Sequence, residues 1–276
     1  MARLTLSALA WAVGGRIPRR LGDALARGLA PGLALLPLAP VRAWEHTATL
    51  ATGRQMTRRD RTRLVEAWLR NTFWSFSLAG WSDEEILQTV DVAATDIAKL
   101  RDSLAGPGLV LALPHMGSWD FAGAWCARIG IKVVSVAERL PDGLYERFRA
   151  ARDGMGMEIH PVDGPDLMRS LADAVRAGKI VCLLSDRDLS SRGLAVQWPG
   201  AGTVKVPAGP ALLARRTGAD LRVATTRFEG GRLSISVTDA IAPGDPTSMM
   251  QEAVGHFAEA VAASPSNWLM LRKLFL

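Results

Sequence analysis

From Leu109 onward the chain repeats one pattern: a short apolar run, a turn residue, a stretch with helical spacing, then another apolar run. The runs are 109–113, 133–136, 158–161, 180–184, 221–227 and 233–237. Runs this short, bounded by Gly and Pro, have the length of strands rather than helices. Segments with helical spacing at 118–128, 141–153, 165–177, 207–217 and 247–263 separate most of them. Gly130, Gly178 and Gly218 stand where helices end before the next strand. The last two runs are joined through Glu229-Gly-Gly231, which reads as a hairpin turn and makes the sheet mixed. The expected fold is therefore α/β: a single domain over 1–276, with a mixed, mostly parallel central sheet flanked by helices over 106–276.

Residues 1–105 read differently. Arg58 to Trp81 has Leu64, Trp68, Leu69 and Thr72 at helical spacing with Asp60 near its start, and 83–104 reads as helix in pieces. Twelve arginines against four acids in the first 70 residues give +8, so the remainder of a chain of net charge +6 carries −2. Two apolar stretches, Leu4 to Val13 and Leu29 to Val41, lie in this basic part, the second broken by Pro31, Pro37 and Pro40. Neither reaches the ~18–20 uninterrupted apolar residues of a membrane span. No small-residue cleavage site follows them, which argues against a secretory signal. Short apolar helices flanked by arginine suit an N-terminal helical layer lying on an anionic membrane surface. A helical pair packed on the domain is the alternative.

Several function classes fail on pattern. Cys126 and Cys182 are too few for a disulfide scaffold and lack metal-ligand spacing. No P-loop, Rossmann glycine fingerprint or G-x-S-x-G follows any apolar run. A basic chain also suggests nucleic acid, but no zinc spacing or RNP-like string accompanies the arginines. His160 precedes a strand-ending proline, and His46 and His256 have no acid at a telling spacing.

His115 does. It follows the run Leu109–Leu113 and Pro114, and Asp120 lies five positions on, just inside a helix that Ser118 is placed to cap. A carboxylate in the first turn could reach a histidine on the preceding loop, fix its tautomer and leave the other ring nitrogen to take a proton. Asp186-Arg187-Asp188 ends the run 180–184. Three readings of that block compete: part of an acidic and cationic site, a D-x-D cation motif of a glycosyltransferase, or a solvated turn. Arg139, Arg147, Arg149 and Arg152 follow the second run, Arg149 and Arg152 sharing a helix face, where guanidinium groups could fork onto phosphate. Val206-Pro-Ala-Gly-Pro210 opens a helix with a pre-set backbone, between Arg192 and Arg215.

Taken together, His115-Met-Gly-Ser-Trp-Asp120, Glu138-Arg139, Phe148-x3-Arg152-x3-Gly156, Asp186-Arg-Asp188-Leu, the stretch Val206 to Ala219 and Asn267-Trp268 resemble the lysophospholipid acyltransferase superfamily. The branch they resemble holds the lipid A late acyltransferases and the actinobacterial phosphatidylinositol mannoside acyltransferases, nearer the latter. The resemblance runs from roughly residue 5 to the end. It implies transfer of a palmitoyl chain from acyl-CoA to a mannose hydroxyl of a glycolipid, with no cofactor and no metal, at the cytoplasmic face of the plasma membrane. His115, Asp120 and Asp186 are the expected catalytic residues, His115 as base and Asp120 orienting it. Glu138, Arg152, Asp188, Arg192 and Arg215 are the expected contacts to acyl-CoA or acceptor. Backbone N–H groups near Gly117 are candidates for the developing oxyanion, and Trp119, Phe121 and Trp125 for an acyl groove. A lipid A type enzyme on another glycolipid, a glycosyltransferase using Asp186 and Asp188, and a non-catalytic membrane module are the alternatives.

Overall fold

A computed structural model describes residues 14–139, 144–188, 190 and 192–275. The stretch Leu4 to Val13, the helix start expected at Pro141, and Ser191 lie outside the described residues.

Among the described residues, the first three helices are α1 (Arg19–Leu33), α2 (Ala39–Thr52) and α3 (Arg58–Ser77). Thr57 opens α3 with a capping box: its hydroxyl accepts from Asp60 N–H at 3.2 Å and the Asp60 carboxylate accepts from Thr57 N–H at 2.9 Å. Two donors that a helix start leaves unpaired are thereby satisfied. Buried Asp23 of α1 accepts from Trp74 Nε1 at 2.9 Å and lies 3.2 Å from Arg70 Nε, which ties α1 to α3. Trp44, Ala48, Leu64 and Val65 form the local core of this layer. The region expected as helical pieces is α4 (Asp83–Thr89) and α5 (Ala94–Ala105), but a strand, β1 (Val90–Val92), stands between them. Three residues are too few for a periodicity to show in sequence, and β1 exists because it pairs with a strand some 140 residues later.

The main sheet is built from β1, β2 (Leu109–Leu113), β3 (Val133–Ala137), β4 (Met157–Pro161), β5 (Ile180–Leu184), β8 (Asp220–Glu229) and β9 (Arg232–Val237). Its order is β1-β9-β8-β2-β5-β3-β4, parallel throughout except for the β8–β9 hairpin. The fold class expected from the alternating runs is the one observed. β2 is central, and it is apolar at every position because both its faces are covered. Leu109 and Leu111 pack toward Trp74, Phe121, Trp125 and Met157. Val110 and Ala112 pack toward Val181, Leu213, Phe257 and Val261 on the other side. The covering helices are α6 (Trp119–Arg128), α7 (Leu144–Gly154), α8 (Leu167–Arg176), α9 (Gly209–Thr217) and α10 (Pro246–Ala263), each within a few residues of its expected span.

A second, two-stranded sheet of β6 (Leu194–Trp198) and β7 (Gly202–Val206) was not expected. Its pattern is nevertheless visible: Val196, Trp198, Val204 and Val206 are buried and alternate with more exposed neighbours around Pro199-Gly-Ala-Gly202.

Candidate active site

β2 and β5 are hydrogen-bonded neighbours in register, Leu113 opposite Leu184. Two residues beyond each partner stand His115 and Asp186. Parallel pairing thus carries both side chains past the carboxyl ends of adjacent strands, where sites form in open α/β sheets. His115 Nδ1 meets Asp186 Oδ1 at 2.5 Å. His115 N–H donates to Asp186 Oδ2 at 2.9 Å, and Trp268 Nε1 donates to the same oxygen at 2.8 Å. Asp186 is fully buried, and His115 keeps 21% of its side chain accessible. Burial opposes the charge on Asp186, but the His115 ring and the hydrogen bonds from His115 and Trp268 outweigh it and hold the carboxyl below its usual range. With Nδ1 engaged, Nε2 is the ring nitrogen left to a substrate.

The expected His115–Asp120 pair is corrected by this geometry. Asp120 is in the first turn of α6 as expected, but its carboxylate binds Arg152 of α7 in a fork, Oδ1 from Nε at 2.7 Å and Oδ2 from Nη2 at 3.2 Å. Ser75 of α3 donates to Oδ2 at 3.2 Å. Spacing allowed Asp120 to reach His115; strand register put a nearer carboxylate there.

His115, Asp120, Glu138, Arg152, Arg187 and Asp188 all line one cavity of about 800 Å³, large for a small-molecule pocket. Most of its wall is apolar, with Leu100, Trp125, Cys126, Met157, Ile235 and Val237 among the lining residues. Trp119 and Trp125 line it as expected, whereas Phe121 is a core residue between Trp74 and Trp81. Burial pushes the Cys126 thiol up to about 12 and raises Cys182 as well, so both act as apolar wall.

Other expected contacts part ways. Glu138 is exposed at the cavity's edge, following β3. The Asp188 carboxylate shapes its own turn, accepting from Ser190 Oγ and from Gly193 N–H at 3.0 Å. Asp186 and Asp188 therefore serve separate partners, and among the described residues no cluster of three or more His, Cys, Asp or Glu could hold a metal ion. Arg192 and Arg215 are exposed and do not line the cavity; Arg215 is in the last turn of α9, while it is the start of that helix, through Pro207, Gly209 and Pro210, that reaches the cavity. Arg149 pairs with Asp153 in solvent although it shares a helix face with Arg152. Arg187, for which the sequence motifs suggest no separate role, lines the cavity without a carboxylate partner among the described residues. Its adjacency to Asp186 is the signal that could have found it.

The loop between β2 and α6 is clamped. Gly117 has φ 55°, and a Cβ there would fall 2.5 Å from Thr226 Oγ1, so only glycine fits. Its N–H is not free for an oxyanion as expected, since it donates to Asn267 O at 2.9 Å. Ser118 N–H likewise donates to Thr226 Oγ1 at 3.0 Å. Ser118 is the N-cap residue of α6, but its side chain makes no capping bond.

Residues 50–276 match the family described as bacterial lipid A biosynthesis acyltransferase. Two proteins named phosphatidylinositol mannoside acyltransferase from strains of Mycobacterium tuberculosis are each 39% identical, over 62% and 73% of this chain and 56% and 65% of their own length. A protein of the same name from Mycolicibacterium smegmatis is 32% identical over 96% of this chain and 90% of its own. The chain spans less than two thirds of the two mycobacterial relatives from M. tuberculosis. The match across most of its length nonetheless places it, and the chain belongs to the bacterial lipid A biosynthesis acyltransferase family.

Proposed function

We propose that the protein transfers a fatty acyl chain from acyl-CoA to a hydroxyl of a glycolipid acceptor, with His115 as general base and Asp186 as the carboxylate that orients it. One observation carries this reading: Nδ1 of His115 is held by a buried carboxylate while the rest of the ring lies on a large, mostly apolar cavity. The acceptor hydroxyl gives its proton to Nε2 as its oxygen attacks the thioester carbonyl. The C–O bond forms, the C–S bond breaks, and the imidazolium returns the proton to the departing thiolate. Asp186 keeps the imidazole in the tautomer with Nδ1 protonated and stabilises the imidazolium. Arg187 is the cation we assign to the developing carbonyl oxyanion. Arg152, fixed by Asp120, presents positive charge toward the phosphates that either substrate brings. The reaction so written uses no cofactor beyond the acyl-CoA substrate.

The names of the relatives favour a phosphatidylinositol mannoside as acceptor; a mannose hydroxyl as the site of acylation and a palmitoyl-length donor are our own proposal, carried over from the resemblance in sequence. An acceptor of another glycolipid class, as the family description also suggests, is the second reading. The test is acyl transfer from radiolabelled palmitoyl-CoA, in excess chelator, to each acceptor in turn. We expect the mannoside to be acylated with chelator present and His115→Ala to lose on the order of 10²-fold or more in turnover. Retained turnover in folded His115→Ala would remove the base, and loss under chelator with rescue by manganese would return the glycosyltransferase reading.

The same proposal places the chain on the cytoplasmic face of the plasma membrane as a peripheral protein. No helix among the described residues is long and apolar enough to cross a membrane. Support comes from α1, α2 and their connection, where Leu21, Leu29, Leu35, Leu36 and Leu38 are exposed beside Arg20, Arg27 and Arg42. Apolar side chains in the acyl boundary and guanidinium groups at anionic headgroups are how interfacial helices bind.

A further inference from the structure

The segment Asn267–Leu269 runs antiparallel against the loop that carries His115. Gly117 N–H donates to Asn267 O at 2.9 Å, Leu269 N–H donates to His115 O at 2.7 Å, and Met116 and Trp268 face one another between them. Trp268 is fully buried, stacked on Trp198 at 5.1 Å between ring centroids with the planes 22° apart. Its indole N–H ends on the carboxylate oxygen of Asp186 that does not face the imidazole.

We infer that Trp268 is a positioning residue of the acyl transfer: its indole N–H sets the rotation of the Asp186 carboxylate and draws charge away from it, while the backbone of its neighbours Asn267 and Leu269 holds the His115 loop against Asp186. The inference rests on the reading of His115 and Asp186 given above. Burial by itself does not explain the bond. A buried indole usually finds an acceptor, yet Trp44 Nε1 is buried with no partner among the described residues, so burial alone does not bring an indole to a carboxylate. What Trp268 meets is a charged acceptor already holding two contacts from His115, the arrangement in which one more donor changes both geometry and charge.

Replacing the N–H without changing the shape isolates this role. Trp268→Phe is the simple variant, and a benzothienylalanine at position 268, with sulfur in place of N–H, keeps the stack on Trp198. We expect kcat to fall about tenfold, the effect of one hydrogen bond to a charged acceptor, with KM for donor and acceptor within about twofold. The acid limb of kcat should move to higher pH, because a carboxylate that loses a donor presents more negative charge to the imidazolium. The other charged groups lining the cavity, Asp120 with Arg152, Glu138, Asp163, Arg187 and Asp188, are unchanged by either replacement. Trp198→Phe, which loosens the stack and keeps the indole N–H, should leave the acid limb where it is. A sulfur analogue with kcat within about twofold of wild type and a superimposable pH profile overturns the inference, provided His115→Ala and Asp186→Asn abolish turnover. Undiminished turnover in those two variants instead sinks the base itself, and with it this role for Trp268.

Discussion

Two side-chain pairs meet at the same cavity, His115 with Asp186 and Arg152 with Asp120, and they are held in different ways. His115 and Asp186 extend two adjacent strands, so their separation is set by sheet hydrogen bonds on one side and by the 267–269 segment on the other. Asp120 and Arg152 belong to two helices, α6 and α7, and meet through a forked contact between side chains that are 9% and 16% exposed. The first pair is rigid because backbone holds it. The second depends on how α6 and α7 are each seated against β4. A reacting group that must keep near-attack geometry suits the first site, and a substrate-holding cation suits the second.

The sharpest way to break this comparison is to remove each acid. Asp186→Asn should cost on the order of 10²-fold or more in kcat, since the amide can stabilise the wrong tautomer and cannot stabilise the imidazolium. Asp120→Asn should cost far less in kcat and act mainly on KM. If steady-state kinetics give the reverse ranking, the roles assigned to the two acids are exchanged.

A smaller effect is expected from the fork. Arg152→Ala should raise KM for one substrate with a lesser change in kcat, and Arg152→Lys should restore part of the loss, because lysine keeps the charge but not two parallel N–H bonds. A double-mutant cycle with Asp120→Asn should give a coupling of about 1–3 kcal/mol in stability. Additive losses would mean the fork contributes nothing of its own.

Further from the site, binding to anionic vesicles should weaken steeply as salt rises, since exposed charges are screened over ~8 Å at physiological ionic strength. Leu35→Ser with Leu36→Ser should remove much of what survives high salt. Flotation in which neutral and anionic vesicles bind alike at all salt concentrations would contradict the electrostatic part.

The smallest effect concerns the start of α3. Thr57→Ala should cost about 1 kcal/mol of stability, as for the loss of an N-cap side chain. Asp60 is held well below its ordinary 3.8, chiefly by its hydrogen bonds with Arg54 and Thr57, against the opposing effect of burial. A carboxyl depressed on folding stabilises above its unfolded value and loses that contribution as pH falls through the folded one. Asp60→Asn should therefore be destabilising at neutral pH, and its difference from wild type should shrink progressively as pH falls below the ordinary carboxylate range. Parallel denaturation curves of the two proteins across that range would exclude this linkage.

Much of the site is legible in the amino-acid sequence. His115 and Asp186 both stand just past apolar runs, and glycine-punctuated alternation indicates which ends of those runs gather. Their pairing is not legible, because they are 71 positions apart in the chain and adjacency of β2 to β5 depends on strand order, which short buried runs do not encode. Asp120 draws the pairing instead because it is close in sequence. Trp268 illustrates the same limit: its place in a family-like tail is visible along the chain, its contact with Asp186 is not.

What the sequence determined by itself is what period, length and residue type determine: α/β alternation, a central strand buried on both faces, the hairpin at Glu229-Gly-Gly231, a basic N-terminal layer and a histidine just past the central strand. These follow from local sterics and from which faces must leave water. Tertiary structure decided which acid serves His115 and which serves Arg152, that Gly117 N–H is spent on Asn267, that Arg192 and Arg215 face solvent while Arg187 faces the cavity, and that β1 and the β6–β7 hairpin exist. Each of those depends on contacts between distant segments, where register and packing, rather than spacing along the chain, set which groups come within hydrogen-bond reach.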